Sequence, residues 1–120
     1  MSVGIVGGSV SPSTALTLNA QTGTTYTFVL TDANNTLVTA SNASAQTYTI
    51  PPNSSVAYPI GAQLNIIQIG AGQVSFAQGS GVTIASSGAT STAPKCIVQY
   101  SAATAIKVNT DSWYVVGDIA

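Results

Sequence analysis

Hydrophobic and polar residues alternate along most of this chain, most regularly from Thr24 onward. A two-residue period is typical of β-strands, because successive side chains point to opposite faces of a sheet. No stretch of ten or more residues has the period of a helix. The pattern therefore predicts an all-β protein, and its clearest strand-like runs are residues 25–30, 36–39, 46–50, 63–69, 73–77, 82–84, 96–100, 105–108 and 113–116.

Turn-forming residues separate these runs at short, regular intervals, and such a succession of short strands and turns is typical of sandwiches and barrels. Residues 32–35 predict a hairpin between the runs on either side, and residues 109–112 predict a polar turn between the last two runs. The pair Ile66-Ile67 interrupts the alternation, which indicates a bulge or a strand buried on both faces. We expect an antiparallel β-sandwich, jelly-roll-like, with its strand order left open.

Residues 1–23 follow a different pattern, in which Gly4, Gly7, Gly8 and Pro12 interrupt short apolar pieces. This predicts an extended arm that leads into a first strand, followed by a sandwich domain at residues 24–120. A free terminus is usually frayed unless other groups hold it. Either a neighbouring subunit or a partner surface holds the arm, or the arm is an edge strand of the same domain. In the first case the candidates for capsid or intersubunit contact are Val3, Ile5, Val6 and Val10.

Charged residues are rare in this sequence. They make up only 4% of the chain, against about 25% in an ordinary soluble domain. Two lysines cannot neutralise the several phosphates of a nucleic-acid interface. For the same reason they provide little electrostatic attraction to an anionic membrane. No apolar run approaches the ~20 residues of a membrane span, and the N-terminus lacks the basic region of a secretory signal. We therefore expect neither nucleic acid nor membrane insertion.

The sequence lacks most of the side chains on which common catalytic mechanisms depend. Without histidine no Ser-His-Asp or Cys-His arrangement can form, and neither lysine has a serine at Ser-x-x-Lys spacing. A glycosidase needs two carboxylates across a sugar, whereas Asp32 and Asp111 lie in predicted turns, where Asp commonly bonds the backbone. Cys96 is the only cysteine, which excludes a zinc site and predicts a buried small hydrophobe. We expect no enzyme and no cofactor.

Two features leave alternatives open. Calcium takes carboxylate oxygens, so Asp111 and Asp118 could share a weak site, although we expect no metal. Trp113 and Tyr114 could form a stacking platform for a sugar ring. The alternative, which the alternation favours, is that Trp113 anchors the core while Tyr114 points to the opposite face.

A set of segments from residue 50 onward occurs in a characteristic order. The segments are residues 50–64, 68–76, 81–84, 99–101, 106–108 and 111–119, with Pro51-Pro52-Asn53 near the start and Asp111-Ser112-Trp113-Tyr114 near the end. In this order they resemble a small β-sandwich domain of tailed-bacteriophage virion proteins, which is found in capsid decoration (cement) proteins and in tail-fibre and tailspike tips. The resemblance covers about residues 24–119, and the ordered set carries it rather than any one segment.

The resemblance implies a β-sandwich that assembles as a homotrimer on the virion. As a decoration protein it would be synthesised in the host cytoplasm and bind the major capsid protein at threefold positions of the outer capsid surface. There it would stabilise the shell, with a part in host attachment left open. The alternatives are a tail-fibre or tailspike tip that binds a host-surface glycan or receptor, and a non-viral carbohydrate-binding module. No catalytic residue is carried over to this chain.

Overall fold

The computed structural model describes residues 15–87 and 91–120, and the structural statements below refer to these residues. They form nine β-strands and one short 3₁₀ turn, Leu30–Ala33, so the predicted all-β class is confirmed. The strands are β1 (Thr17–Gln21), β2 (Thr25–Thr27), β3 (Thr36–Ala40), β4 (Gln46–Ile50), β5 (Gln63–Gln68), β6 (Val74–Gln78), β7 (Thr83–Ser86), β8 (Ala102–Asn109) and β9 (Ser112–Gly117). Within this part of the chain no helix is long and apolar enough to cross a membrane.

The first six strands alternate between two sheets. β1, β3 and β5 are neighbours in a six-stranded sheet, whereas β2, β4 and β6 make up a three-stranded sheet. The four pairings within these two sets are all parallel. Each strand thus pairs with the next strand but one along the chain, as when Thr17 pairs with Thr36 and Leu37 with Asn65. The chain therefore winds through both sheets in successive coils, and we call residues 17–78 the coil region.

The hydrophobic core lies between the two sheets and receives every second residue of β3, β4, β5 and β6. Parallel pairing places similar inward side chains beside one another, as with Val38 and Ile66 in one sheet and Tyr48 and Phe76 in the other. All four are at most 1% exposed. Burying a side chain of this kind stabilises the fold by about 1.5–3 kcal/mol. The Phe28 ring packs against the Tyr48 and Phe76 rings, with centroids 5.9 and 6.2 Å away.

The corners of the coil, where the chain leaves the six-stranded sheet, stack backbone on backbone. The Gly72 N–H donates to the carbonyl oxygen of Asn42 at 2.8 Å. The Asn42 side-chain amide in turn donates to the carbonyl oxygen of Thr22 at 2.8 Å, so three successive corners are linked. A Cβ atom on Gly72 would lie 1.8 Å from the carbonyl oxygen of Ser44. Glycine is therefore required at position 72 because the neighbouring backbone approaches so closely.

The remaining strands complete the six-stranded sheet, and we call residues 82–120 the hairpin region. β8 and β9 are antiparallel neighbours joined by a turn at Thr110 and Asp111. They lie between β5 and β7, in the order β1-β3-β5-β8-β9-β7. β8 runs antiparallel to β5, whereas β7 runs parallel to β9. Ile84, Trp113 and Val115 are buried and extend the core into this region.

The expected antiparallel, jelly-roll-like pairing is wrong for most of the molecule. Of the seven strand pairings in the described residues, five are parallel. Both ladder types have the same two-residue side-chain period, so alternation shows which face a residue occupies but not the direction of its partner strand. The predicted hairpin around residues 32–35 is wrong for the same reason. The 3₁₀ turn carries the chain from β2 in one sheet to β3 in the other.

Other local predictions have mixed outcomes. The turn at residues 109–112 does join two antiparallel strands, as predicted. The run 96–100 is not a strand, since beyond its bridge at Cys96 it forms a loop. β5 keeps strict alternation, with Ile66 buried and Ile67 half-buried on the other face, and the register shift lies at Lys107–Asn109 instead. Within the segment 1–23, β1 is an edge strand of the six-stranded sheet.

Candidate functional site

Of the residues predicted to form sites, the structure describes Trp113 and Tyr114, and it places them on opposite faces of β9. Val3, Ile5, Val6 and Val10 lie outside the described residues. Trp113 is 1% exposed and packs edge-on against Tyr58, with ring centroids 5.3 Å apart. Tyr114 is 54% exposed on the opposite face of β9. The two aromatic rings therefore do not form one sugar platform, and the interpretation of Trp113 as a core anchor is confirmed.

Asp32 is buried and fully engaged in a structural network. One carboxylate oxygen accepts from the Asn19 amide at 2.8 Å, and the other accepts from the Tyr26 hydroxyl at 2.7 Å and the Val29 N–H at 2.9 Å. The bond to Val29 is the local backbone contact expected of a turn aspartate. The network also links β1 to β2, which the sequence pattern did not indicate. Desolvation, and then the bond to Asp32, raise the pKa of Tyr26 to about 12.

Lys107 is buried on the inward face of β8 and is not available as a base. Its Nζ donates to Asn53 Oδ1 at 2.7 Å and to the carbonyl oxygen of Tyr58 at 2.7 Å. The Asn53 backbone N–H donates in turn to Asp111 Oδ1 at 2.8 Å. These bonds join the hairpin region to the connection between β4 and β5. The sequence contained a signal for this position, because Lys107 has the same parity along its strand as the buried Ala105.

The two remaining aspartates are kept apart from each other. Asp111 and Asp118 flank opposite ends of β9, and Asp118 Oδ2 accepts from the Ser101 hydroxyl at 2.8 Å. A shared calcium site is therefore excluded, since the full length of β9 separates them by about 20 Å. In the described part of the chain, no three His, Cys, Asp or Glu side chains are grouped to hold a metal.

The Cys96 thiol is buried, and the expectation of a small core residue is confirmed. Its N–H donates to the carbonyl oxygen of Val74 at 2.9 Å, which ties the loop to β6. Desolvation, and then the nearby Asp118 charge, raise the pKa of this thiol to about 11. A thiol held in its protonated form is a poor nucleophile. Cys96 is therefore a packing residue in this geometry.

A shallow depression of about 300 Å³ lies at the start of β5. Its polar lining comes mainly from amide side chains, and two of these already have partners. Asn35 donates to the carbonyl oxygen of Ala15 at 2.9 Å, and Asn65 Oδ1 accepts from the Thr104 hydroxyl at 2.8 Å. The depression offers no acid or base, because its lining residues are Ala33, Asn35, Gly61, Ala62, Gln63 and Asn65.

Large apolar side chains also lie on the outward face of the six-stranded sheet, which we call the outer face. Its outward positions carry large apolar side chains, interspersed with polar ones such as Thr39, Gln63, Asn65 and Thr104, and no charged one. The large members are Leu18, Leu37, Ile67, Ile106, Tyr114 and Val116. Leu18 is 66% exposed and Val116 51% exposed. The three-stranded sheet differs, because its outward positions are Thr25, Thr27, Thr47, Thr49, Ser75 and Ala77.

Residues 1–94 contain a single charged side chain, Asp32, and it is buried. The described surface of the coil region therefore carries no charge. The exposed charged residues are Lys95 and Asp118, close to the C-terminal residue in space, where the Lys95 backbone exchanges two hydrogen bonds with Ala120. Comparison with known proteins finds no matching family model, no matching curated protein and no matching solved structure.

Proposed function

We propose that this chain is a capsid decoration protein, a structural virion protein that assembles as a homotrimer of two-sheet domains. It binds the major capsid protein at threefold positions of the outer capsid surface and stabilises the shell. The observation that carries the proposal is the absence of charge from the described surface of the coil region, together with the apolar outer face. The ordered segments from residue 50 onward, which resemble phage virion domains, add to this support.

An uncharged surface supports a binding role. Burying a charged group in an interface costs several kcal/mol unless a partner compensates it, whereas hydroxyls, amides and apolar groups carry a much smaller cost. Leu18, Tyr114 and Val116 each expose about half or more of an apolar side chain, which contact with a protein partner would remove from water.

The ionisable groups support a structural protein rather than an enzyme. The Asp32 carboxylate and the Lys107 amine are buried and occupied by two or more hydrogen bonds each. The carboxylates of Asp111 and Asp118 each hold a backbone or hydroxyl donor. General acid–base catalysis needs a titratable group within reach of substrate. The described geometry assigns these groups to cohesion of the fold.

The proposal is tested by mixing the purified chain with capsids of its phage assembled without it. We expect saturable binding of three copies per occupied threefold site, and decorated shells that resist heat better than bare ones. In solution, light scattering should give a mass near three times 12.0 kDa. A chain that fails to bind capsids at saturating concentration would refute the decoration role.

The second candidate is a tail-fibre or tailspike tip module that binds a host glycan. It is favoured by the two exposed aromatic rings, Tyr100 at 68% and Tyr114 at 54%, since such rings offer an apolar face with a polar tip. Glycan binding that is lost in Tyr100→Ala or Tyr114→Ala, without capsid binding, would favour this candidate over the first.

A further inference from the structure

The side chains of Lys107 and Asn53 are in contact, although they come from different regions of the chain. Lys107 lies on β8 in the hairpin region, and Asn53 follows β4 in the coil region. Lys107 Nζ donates to Asn53 Oδ1 at 2.7 Å. We propose that this pair is a modification site, at which Nζ and the side-chain carbon Cγ of Asn53 join in an intramolecular isopeptide bond. Such a bond would form whether or not the chain binds a capsid.

The two atoms that would be joined are already close. A C=O bond is about 1.23 Å long, so a nitrogen at hydrogen-bond distance from the outer side of Oδ1 lies about 3.0–3.9 Å from Cγ. Reacting atoms held about 3–3.5 Å apart gain a large advantage in rate over the same groups free in solution. The last torsion of an asparagine side chain is broad. The amide can therefore turn its face toward Nζ without a movement of the backbone.

Neighbouring groups hold both partners in place. Asp111 Oδ1 accepts from the Asn53 backbone N–H at 2.8 Å, and Asp111 lies in the turn directly after β8. The same hairpin thus supplies Lys107 and the group that positions its partner. Lys107 Nζ also donates to the carbonyl oxygen of Tyr58 at 2.7 Å, which fixes the end of the lysine side chain.

The reaction exchanges one amide for another and needs no oxidant, reductant or cofactor. The neutral amine is the nucleophile. It attacks Asn53 Cγ, so that the Nζ–Cγ bond forms and the Cγ–Nδ2 bond breaks. Nδ2 leaves as ammonia and takes up, as ammonium, the proton that the lysine released, so atoms and charge balance. Both acceptors of Nζ are neutral amide oxygens, and the loss of that proton therefore breaks no ion pair.

The surroundings exclude water, which is the competing reactant. Lys107 is 2% exposed, and its neighbours Tyr58 and Trp113 are 3% and 1% exposed. Trp113 is paired in register with Lys107 across β8 and β9. A closed site of this kind suppresses hydrolysis of the amide in favour of attack by the lysine. Asn53 is only half-buried, which leaves the departing ammonia a route to solvent.

The bond would connect the coil region and the hairpin region covalently. Asn53 and Lys107 are 54 positions apart in sequence. Closing a loop of this length lowers the conformational entropy of the unfolded chain, so the folded state becomes more stable. Before the reaction the pair stabilises the fold by its hydrogen bond alone, and the cross-link adds to that.

Mass spectrometry of the purified full chain after denaturation tests the bond. The linked chain is lighter than its sequence by one molecule of ammonia. Trypsin cuts an unlinked chain after Lys95 and Lys107, which gives three separate pieces, residues 1–95, 96–107 and 108–120. It does not cut after an acylated lysine, so we expect a single cut, after Lys95, and two pieces that stay joined through the new bond. Lys95 is the internal control, because it is exposed and is cut in either case.

Three separate pieces from the wild-type chain would overturn the inference. A loss of ammonia with Lys107 still cut would overturn it too, since it indicates cyclisation of an asparagine instead. Lys107→Arg keeps the charge and the trypsin site but removes the nucleophile, and Asn53→Ala removes the carbon that is attacked. Both variants should have the full mass of their sequences and give three pieces, whereas the matched control Asn34→Ala, at an exposed asparagine, should link as wild type does. The wild-type digest decides the question even where a variant does not fold.

The part of Asp111 as a positioning residue is tested by the rate of linkage after cell-free synthesis. Asp111→Ala removes the acceptor of the Asn53 N–H. We expect linkage to be about 100-fold slower, because a misplacement of about 1 Å costs a factor of that order. Asp111→Asn keeps an acceptor oxygen and should restore most of the rate. Linkage of Asp111→Ala at the wild-type rate would overturn the assignment of Asp111.

Discussion

The coil region and the hairpin region both contribute strands to the six-stranded sheet, but different contacts hold those strands in place. In the coil region, paired strands are separated in sequence by a strand of the other sheet, and the corners fit because backbone stacks directly on backbone. In the hairpin region, β8 and β9 are adjacent in sequence, and hydrogen bonds of Lys107 and Asp111 fix their turn end against the coil. The coil therefore depends on the absence of a side chain at corner positions such as Gly72, whereas the hairpin depends on the polar side chains of Lys107 and Asp111.

The largest effect should come from Gly72→Ala, which tests the corner stacking. The new Cβ would lie 1.8 Å from the Ser44 carbonyl oxygen and 2.7 Å from that of Asn42, both backbone atoms that cannot rotate away. We expect a loss of more than about 4 kcal/mol in the free energy of unfolding, the exceptional range for a single substitution. The loss is measured by urea denaturation of the soluble variant. A variant that is absent from the soluble fraction would indicate a loss too large for the protein to stay folded.

The matched control is Gly23→Ala at the first corner of the coil. There a new Cβ would meet its nearest atom, the Thr25 carbonyl oxygen, at 3.6 Å, an ordinary contact. We expect a change of less than about 1 kcal/mol. If Gly72→Ala were as stable as Gly23→Ala, the corners could not stack as described, and the comparison between the two regions would fail.

An intermediate effect should come from the junction between the regions. Asn53→Ala removes the amide oxygen that accepts from Lys107 Nζ at 2.7 Å, so the buried amine loses one of its two partners. We expect a cost of about 1–3 kcal/mol, typical of a buried polar group left without a partner. Thermal unfolding, with Asn34→Ala at an exposed position as control, measures it.

A double-mutant cycle separates the junction from general loss of packing. Lys107→Met keeps most of the side-chain volume while removing the amine. Asn53→Ala should therefore cost less in the Lys107→Met background than in wild type, because no buried amine is then left without a partner. Additive losses would show that Asn53 and Lys107 do not act as a pair.

The fold could be predicted in those parts where local pattern determines structure. Alternation correctly placed Trp113 inward and Tyr114 outward, and the polar residues after β8 correctly predicted a turn between antiparallel strands. The strand partners in the coil could not be predicted in this way. The choice between an antiparallel hairpin and a parallel coil depends on contacts such as that of Gly72 with Asn42, which are far apart in sequence, so no local pattern encodes it.

The candidate surface was only partly visible in the sequence. The low charge content, which the sequence shows directly, indicated an unusual surface. The position of that surface depends on which strands are neighbours, and the pairs Leu18–Leu37 and Ile106–Tyr114 follow from the topology. The pair Ile66-Ile67 predicted either a bulge or a strand buried on both faces, and β5 is neither, because its outward residues Gln63, Asn65 and Ile67 are exposed or half-buried.

The effect that separates the regions by pH concerns buried phenols and the thiol of Cys96. Burial raises the pKa of Tyr48, in the coil, to about 12, and that of Cys96, in the hairpin region, to about 11. Below the unfolded values of 10.0 and 9.0, both states hold these protons and the stabilisation is fully present. As the pH rises further, the unfolded chain releases protons that the folded chain retains, so the free energy of unfolding falls until the folded pKa is passed. The Tm should therefore be level through neutral pH and fall by about 4 °C or more between pH 9 and 12.

Two substitutions assign the parts of this alkaline decline to the two regions. Cys96→Ala should remove its early part, which begins near pH 9. Tyr48→Phe should reduce its later part, which begins near pH 10 and to which the raised pKa values of Tyr26 and Tyr58 also contribute, because those are the unfolded values of the thiol and the phenols. Each variant is compared with its own Tm at pH 7, so that the altered packing cancels. Tm is followed by circular dichroism in buffers of matched ionic strength. A decline of the same slope in Cys96→Ala, Tyr48→Phe and wild type would show that neither buried group controls it, and the coil and hairpin regions would then be indistinguishable by pH.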